Sequence, residues 1–188
     1  GGPVDLRRRY IDGIQRIPRR LALLEKPIIA AINGPAIGAG LDLACMCDLR
    51  LAARGAQLGS TFVKVGLVPG DGGAYFLART VGFPRALELM LTARLVDADE
   101  AERIGLVHRV VEPADLLPAA RALALQIAAN APLAVRLTKR AAYRSHEADL
   151  EQALELAATY QGVVQNTADH REAVRAMLER RPPVFTGG

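Results

Sequence analysis

Two acidic residues stand among glycines. Asp42 lies in Ala36-Ile37-Gly38-Ala39-Gly40-Leu41-Asp42-Leu43-Ala44 and is the only charged residue between Lys26 and Asp48. Asp71 lies in Gly66-Leu67-Val68-Pro69-Gly70-Asp71-Gly72-Gly73. Both stretches read as a glycine turn that leads into a helix. Small residues there let a ligand approach the backbone, and the first N–H groups of a helix have no partner inside it. Such N–H groups stabilise a negative oxygen as it develops, and a carboxylate nearby can move a proton. Each acid also has a purely structural explanation. Asp42 can serve the helix N-terminus, a contribution of about 0.3–1 kcal/mol. Asp71 can be an ordinary turn aspartate.

Other chemistries find less support. His108, His146 and His170 have no metal-ligand spacing. Cys45-Met46-Cys47 sits in an apolar run and reads as core packing. Ser60 and Ser145 lack the nucleophile elbow that a Ser–His–Asp arrangement requires.

The elements that must position the two turns follow from hydrophobic periodicity. Lys26 to Gly34 is apolar on both faces, so a strand covered on both sides is expected over 27–33. Asn33-Gly34-Pro35 stops it. A helix over 37–47, a short buried strand over 49–53 and an extended stretch over 57–60 follow. Residues 63–68 lead into the second turn. Helices are expected over 74–81 and 85–91, separated by Gly82-Phe83-Pro84, and over 97–104. In that last helix Asp97…Glu100 resembles a capping box, and Gly105 suits a left-handed stop. Residues 106–111 are strand-like. After Pro113 strands vanish and four helical segments remain, at about 114–130, 133–146, 149–166 and 169–180. Such a tail cannot bury all its apolar surface on a small α/β core, so part of it is expected to pack on another subunit.

Upstream, residues 5–25 read as a helix with Leu6, Tyr10, Ile14, Ile17, Leu21 and Leu24 on one face, kinked or divided at Pro18. Arg7, Arg8, Arg9, Arg16, Arg19 and Arg20 fall on the other faces and read as a solvated surface. Phosphate or RNA contact is the functional alternative. Tyr10 is the single aromatic among them and no nucleic-acid motif is present, so nucleic acid is not an expected partner.

At 188 residues the chain fits one domain with a sizeable core, and its 51% hydrophobic and 23% charged content is that of an ordinary globular protein. The net charge of +4 suits some polyanionic partner without choosing one. No apolar run is long enough to span a bilayer, and no apolar core follows the charges of the first residues, so neither a membrane span nor a signal peptide is read. Two cysteines in one apolar helix do not make a disulfide framework, so a cytoplasmic location is expected.

The pattern Lys-Pro…Asn-Gly…Gly-Ala-Gly…Asp-Leu-Ala…Cys-Asp over residues 26–48 resembles the enoyl-CoA hydratase/isomerase (crotonase) family. So do Gly66–Gly73, Ala98-Asp99-Glu100-Ala101…Gly105-Leu106-Val107, and the ending Asp169-His170-Arg171-Glu172…Glu179-Arg180-Arg181-Pro182-Pro183-Val184-Phe185. The motifs run in family order along the chain. The resemblance implies a crotonase-like ββα spiral core, an α/β architecture, over 1–112, and a helical C-terminal oligomerisation region over 113–188. A homotrimer or dimer of trimers is implied. The implied function is isomerisation or hydration of an enoyl-CoA through a stabilised thioester enolate. Coenzyme A is then part of the substrate, and no further cofactor and no metal is implied. Hydrolysis or C–C cleavage of a thioester, and a non-catalytic or RNA-binding relative, are the alternatives.

Carried over by position, the Ala39 N–H matches one oxyanion donor, with Gly38 and Gly40 around it in contact with substrate. The second donor lies in relatives in a segment that precedes Lys26, where none is found; a piece of a longer chain is the favoured expectation, and a protein with half the oxyanion hole is the alternative. Asp42 takes the place of the first glutamate of the family's hydratases, one carbon shorter. Phe62 takes the place of the second, which breaks the pair. Asp71 lies one residue after the acid used by double-bond-shifting relatives, which aligns with Gly70. Arg180 matches a basic position that meets CoA phosphate.

Overall fold

The computed structural model describes residues 2–188. The chain forms two compact units. One holds the residues up to Leu24 together with Ile28–Arg121, and the other holds Glu25–Pro27 and Ala122–Gly188.

The first unit is built on two three-stranded sheets. In one, β1 (Ile29–Ile32), β3 (Leu49–Ala53) and β6 (Arg109–Val111) lie in the order β1-β3-β6, all parallel, with Ile29 opposite Leu49 and Leu51 opposite Arg109. The other orders β2 (Ala36–Ile37), β4 (Gln57–Gly59) and β5 (Val96–Asp97), with β4 parallel to β2 and antiparallel to β5. The central strand β3 is buried from Arg50 to Ala53, as a parallel strand covered on both faces must be. Its one charge is satisfied internally. Arg50 Nε donates to the Leu106 carbonyl at 2.8 Å and Nη1 to the Cys47 carbonyl at 2.7 Å. Leu41, Leu58, Leu77, Leu89, Val96 and Leu106 fill the core around α3 (Ala39–Met46), α4 (Gly73–Val81) and α5 (Phe83–Thr92).

Several boundaries differ from the sequence reading. The expected helix over 5–25 is two helices, α1 (Pro3–Asp12) and α2 (Arg16–Ala22), and the break falls after Gly13 rather than at Pro18. A Cβ on Gly13 would collide with the Arg9 carbonyl. Pro18 sits in the first turn of α2, where its missing N–H has no partner to lose. Only Gly82 separates α4 from α5, because Phe83 and Pro84 open the second helix. The strand expected over 106–111 is confined to its last three residues. The Leu106 and Val107 N–H groups instead donate to the Ala101 carbonyl, closing α6 (Ala98–Arg103) behind the left-handed Gly105. Residues 62–65 form a 3₁₀ turn. Asp97 caps α6 by accepting from Glu100 N–H at 2.7 Å, but the Glu100 carboxylate is held by Arg94 and does not return to complete the box.

After a 3₁₀ turn at Pro113–Asp115, α7 (Leu116–Ala128) carries the chain into the second unit. That unit packs α8 (Pro132–Ser145) on α9 (Leu150–Gln165), followed by α10 (Ala168–Glu179). Asp149 and Thr167 cap α9 and α10. The final residues fold back onto α10. Buried Asp169 accepts from Thr186 N–H at 2.7 Å and Gly187 N–H at 2.9 Å, and its own N–H donates to Gly188 O at 3.1 Å. Arg181 pairs with Glu172 and Glu179, which holds the Glu172 carboxyl down at about 2. Leu125, Leu150, Leu154, Met177 and Leu178 of this unit are exposed. Among the described residues no helix is long and apolar enough to cross a membrane.

Candidate active site

The first glycine turn delivers the start of α3 to a cavity wall. Gly38 has φ 57°, a conformation that a side chain disfavours, and a Cβ there would sit 3.6 Å from the Phe62 ring. The Gly38 N–H donates to Gly59 O at 2.8 Å, which ties the turn to β4. Asp42 N–H closes the first helical bond on Gly38 O. The Ala39 N–H, at the first position of α3, has no acceptor among the described residues.

The second turn brings the other acid to the same place. Ala39, Phe62, Gly70 and Asp71 line one cavity of about 360 Å³. Asp42 lies fully buried behind it, its carboxyl set against Gly73 at the first position of α4. A Cβ on Gly73 would overlap both Asp42 oxygens, so glycine is required there to make room for the acid. Both Asp42 oxygens and Asp71 Oδ1 are buried without a hydrogen-bond donor from the rest of the described residues. Burial, then a hydrogen bond with Asp71, then the Asp71 charge push the Asp42 carboxyl up to about 8. The start of α4 works in the other direction. No N–H is bonded to either oxygen, so burial prevails. The site therefore disfavours the charged form of Asp42.

The opposite wall comes from α1 and the residues after it. Leu6, Arg9, Tyr10 and Ile14 line the cavity. Gln15 Nε2 donates to Gly70 O at 2.9 Å, and the Tyr10 ring lies so close to Gly70 that a Cβ there would overlap it. These two contacts seat the helix on the second turn.

Of the residues singled out by the sequence, Ala39, Phe62, Gly70 and Asp71 share the cavity, with Gly38 against Phe62 and Asp42 behind. Gly40 lies in the first turn of α3, outside the lining. Arg180 belongs to the second unit, where it is the exposed left-handed residue that ends α10. The sequence reading put Arg9 on a wet face; the structure leaves it exposed and also sets it on the cavity wall. Leu6, Arg9 and Tyr10 are spaced i, i+3, i+4, one face of a helix, and that spacing was the available signal. Gly73 was missed as well, because only the fold brings it against Asp42.

The chain matches the enoyl-CoA hydratase/isomerase family over residues 7–188. A short-chain-enoyl-CoA hydratase from Clostridium acetobutylicum is 44% identical over 88% of this chain and 64% of its own length. A crotonyl-CoA hydratase from Syntrophomonas wolfei is 43% identical over 91% of this chain and 66% of its own length. The crystal structure of an enoyl-CoA hydratase from Bacillus anthracis superposes with a TM-score of 0.94 at 37% identity, covering 100% of this chain and 72% of that one. The chain therefore belongs to the enoyl-CoA hydratase/isomerase family and has its α/β crotonase fold. It spans just under two thirds of the length of the two curated relatives.

Proposed function

We propose that this chain carries out acyl-CoA chemistry through a thioester enolate, and that double-bond isomerisation is the reaction its acids suit best. The observation that carries this reading is the unpartnered Ala39 N–H on the wall of a cavity that also holds Asp71. The thioester carbonyl oxygen accepts from the Ala39 N–H, with Gly38 and Gly40 keeping the surrounding backbone clear of side chains. The Asp71 carboxylate removes a proton from the carbon next to the thioester. The electron pair moves onto the carbonyl oxygen, where one such donor is worth a few kcal/mol. For a 3-enoyl thioester the same proton returns two carbons further along, and the double bond shifts. Asp42 holds its own proton against Asp71 and supports the charge there as it changes. Phe62 offers neither donor nor acceptor, so the position of the family's second hydratase glutamate supplies no group to activate water.

Hydration is the second reading, favoured by the names of the two curated relatives. Coenzyme A enters as part of the substrate, with Arg180 a candidate phosphate contact. The exposed leucines of α9 support self-association as a trimer, and the free, buried Cys45 and Cys47 support a reducing compartment such as the cytoplasm. The test is turnover of a 3-enoyl-CoA and of crotonyl-CoA by the native chain and by Asp71→Asn. The substitution should lower kcat on the 3-enoyl-CoA by about 10²–10⁴. An unchanged kcat would overturn the role of Asp71. Turnover of neither substrate would leave the family's other thioester reactions, or a non-catalytic protein.

A further inference from the structure

We infer that the cavity selects an acyl group ending in a second carboxylate, and that Arg9 is the residue that reads it. This rests on the cavity being the acyl site proposed above. Arg9 is the only cation among the lining residues, beside Leu6, Tyr10 and Phe62. Its guanidinium has no ion pair or hydrogen bond among the described residues. Most of the other arginines with a charged neighbour are engaged: Arg54, Arg94 and Arg181 each hold two carboxylates. Asp5, one turn earlier on α1, is taken up by the Gly2 N–H at 3.2 Å.

An unpaired guanidinium offers a neutral alkyl tail little beyond its stem, whereas its fork of donors matches a carboxylate in two places. The cavity also has a polarity that fixes orientation. Asp71 repels a second carboxylate and Arg9 attracts it, so the distal anion goes to α1 and the thioester end goes to Ala39 and Asp71. At about 360 Å³ the space lies at the small end of ligand pockets, which run to roughly 1,000 Å³. Gln15 and Tyr10 hold α1 on Gly70, so Arg9 is presented by a seated helix.

The test compares two thioesters that differ by one carboxylate. Crotonyl and (E)-glutaconyl groups share the same enoyl unit, and the second adds a terminal carboxylate. Dissociation constants are measured by calorimetry for both, as CoA thioesters and as pantetheine thioesters without the nucleotide. The native chain should bind glutaconyl about five- to fiftyfold more tightly than crotonyl, the range between an exposed ion pair and a bidentate one. Arg9→Gln should collapse that ratio towards one, and Arg9→Lys should keep part of it. Arg7→Gln, outside the cavity lining, should leave the ratio as it was. Equal affinities in the native chain would overturn the inference while leaving the acyl site intact. A loss on Arg9→Gln that appears only with CoA thioesters, and equally for both acyl groups, would assign Arg9 to the nucleotide phosphates instead. Binding of neither thioester would bring down the acyl site and this inference together.

Discussion

Asp42→Asn should change how stability depends on pH, and by a large amount. The native carboxyl is displaced from 3.8 to about 8, with burial the main cause. Each tenfold change in acidity corresponds to about 1.4 kcal/mol. A displacement of about four such steps is on the order of 5 kcal/mol over the whole range, and less if water enters the opened site. The sign follows from proton counts. Between pH 4 and 8 the folded chain keeps the Asp42 proton and the unfolded chain releases it. Stability from this group is therefore full below about pH 4 and is lost as pH rises through about 8. Between pH 5 and 7.5 the native chain should lose about 3 kcal/mol that the variant does not. Asparagine keeps the size of the side chain and cannot ionise. The assay is urea unfolding of both proteins at half-unit steps from pH 5 to 8.5, plotted as the difference in unfolding free energy. The His108 pKa is lowered by burial and by the Arg50 charge. Its contribution is common to both proteins and cancels in the difference. Parallel curves would refute the reasoning, because they would mean that Asp42 ionises normally in the folded chain.

Gly73→Ala places a methyl group where the Asp42 carboxyl sits. Overpacking costs about 1–3 kcal/mol, and kcat should fall with it. In an Asp42→Ala background the same change should be neutral or stabilising by up to about 1 kcal/mol, since alanine is the better helix residue. Additive effects in that cycle, read by thermal unfolding, would contradict the contact. Asp169→Ala removes the acceptor for the Thr186 and Gly187 N–H groups. It should cost about 1–3 kcal/mol and expose residues 182–188 to carboxypeptidase, and unchanged digestion would count against the fold-back.

Much of the fold could be read from local chemistry. The helix starts at Asp97 and Gly73, the left-handed stop at Gly105 and the buried strand over 49–53 all depend on residues within a few positions of one another. Caps, glycine conformations and apolar runs act over that distance. The misplaced boundaries fell where a distant or competing contact decided the outcome. Glu100 was drawn to Arg94 instead of its own helix start, and Leu106 closed a helix instead of lengthening a strand.

The site divides along the same line. Sequence alone determined that Asp42 and Asp71 each stand beside a glycine turn at a helix entrance, and the family pattern pointed to the Ala39 N–H. Those are properties of short stretches. Only the tertiary structure decided that the two acids meet, because their encounter requires α3 to pack against the start of α4 with nothing larger than Gly73 between. It also decided that one arginine among six faces a cavity. Helical spacing places Arg9 beside Leu6 and Tyr10, but which way that face turns is set by Gln15 and Tyr10 closing on Gly70, some 55 residues away in the chain.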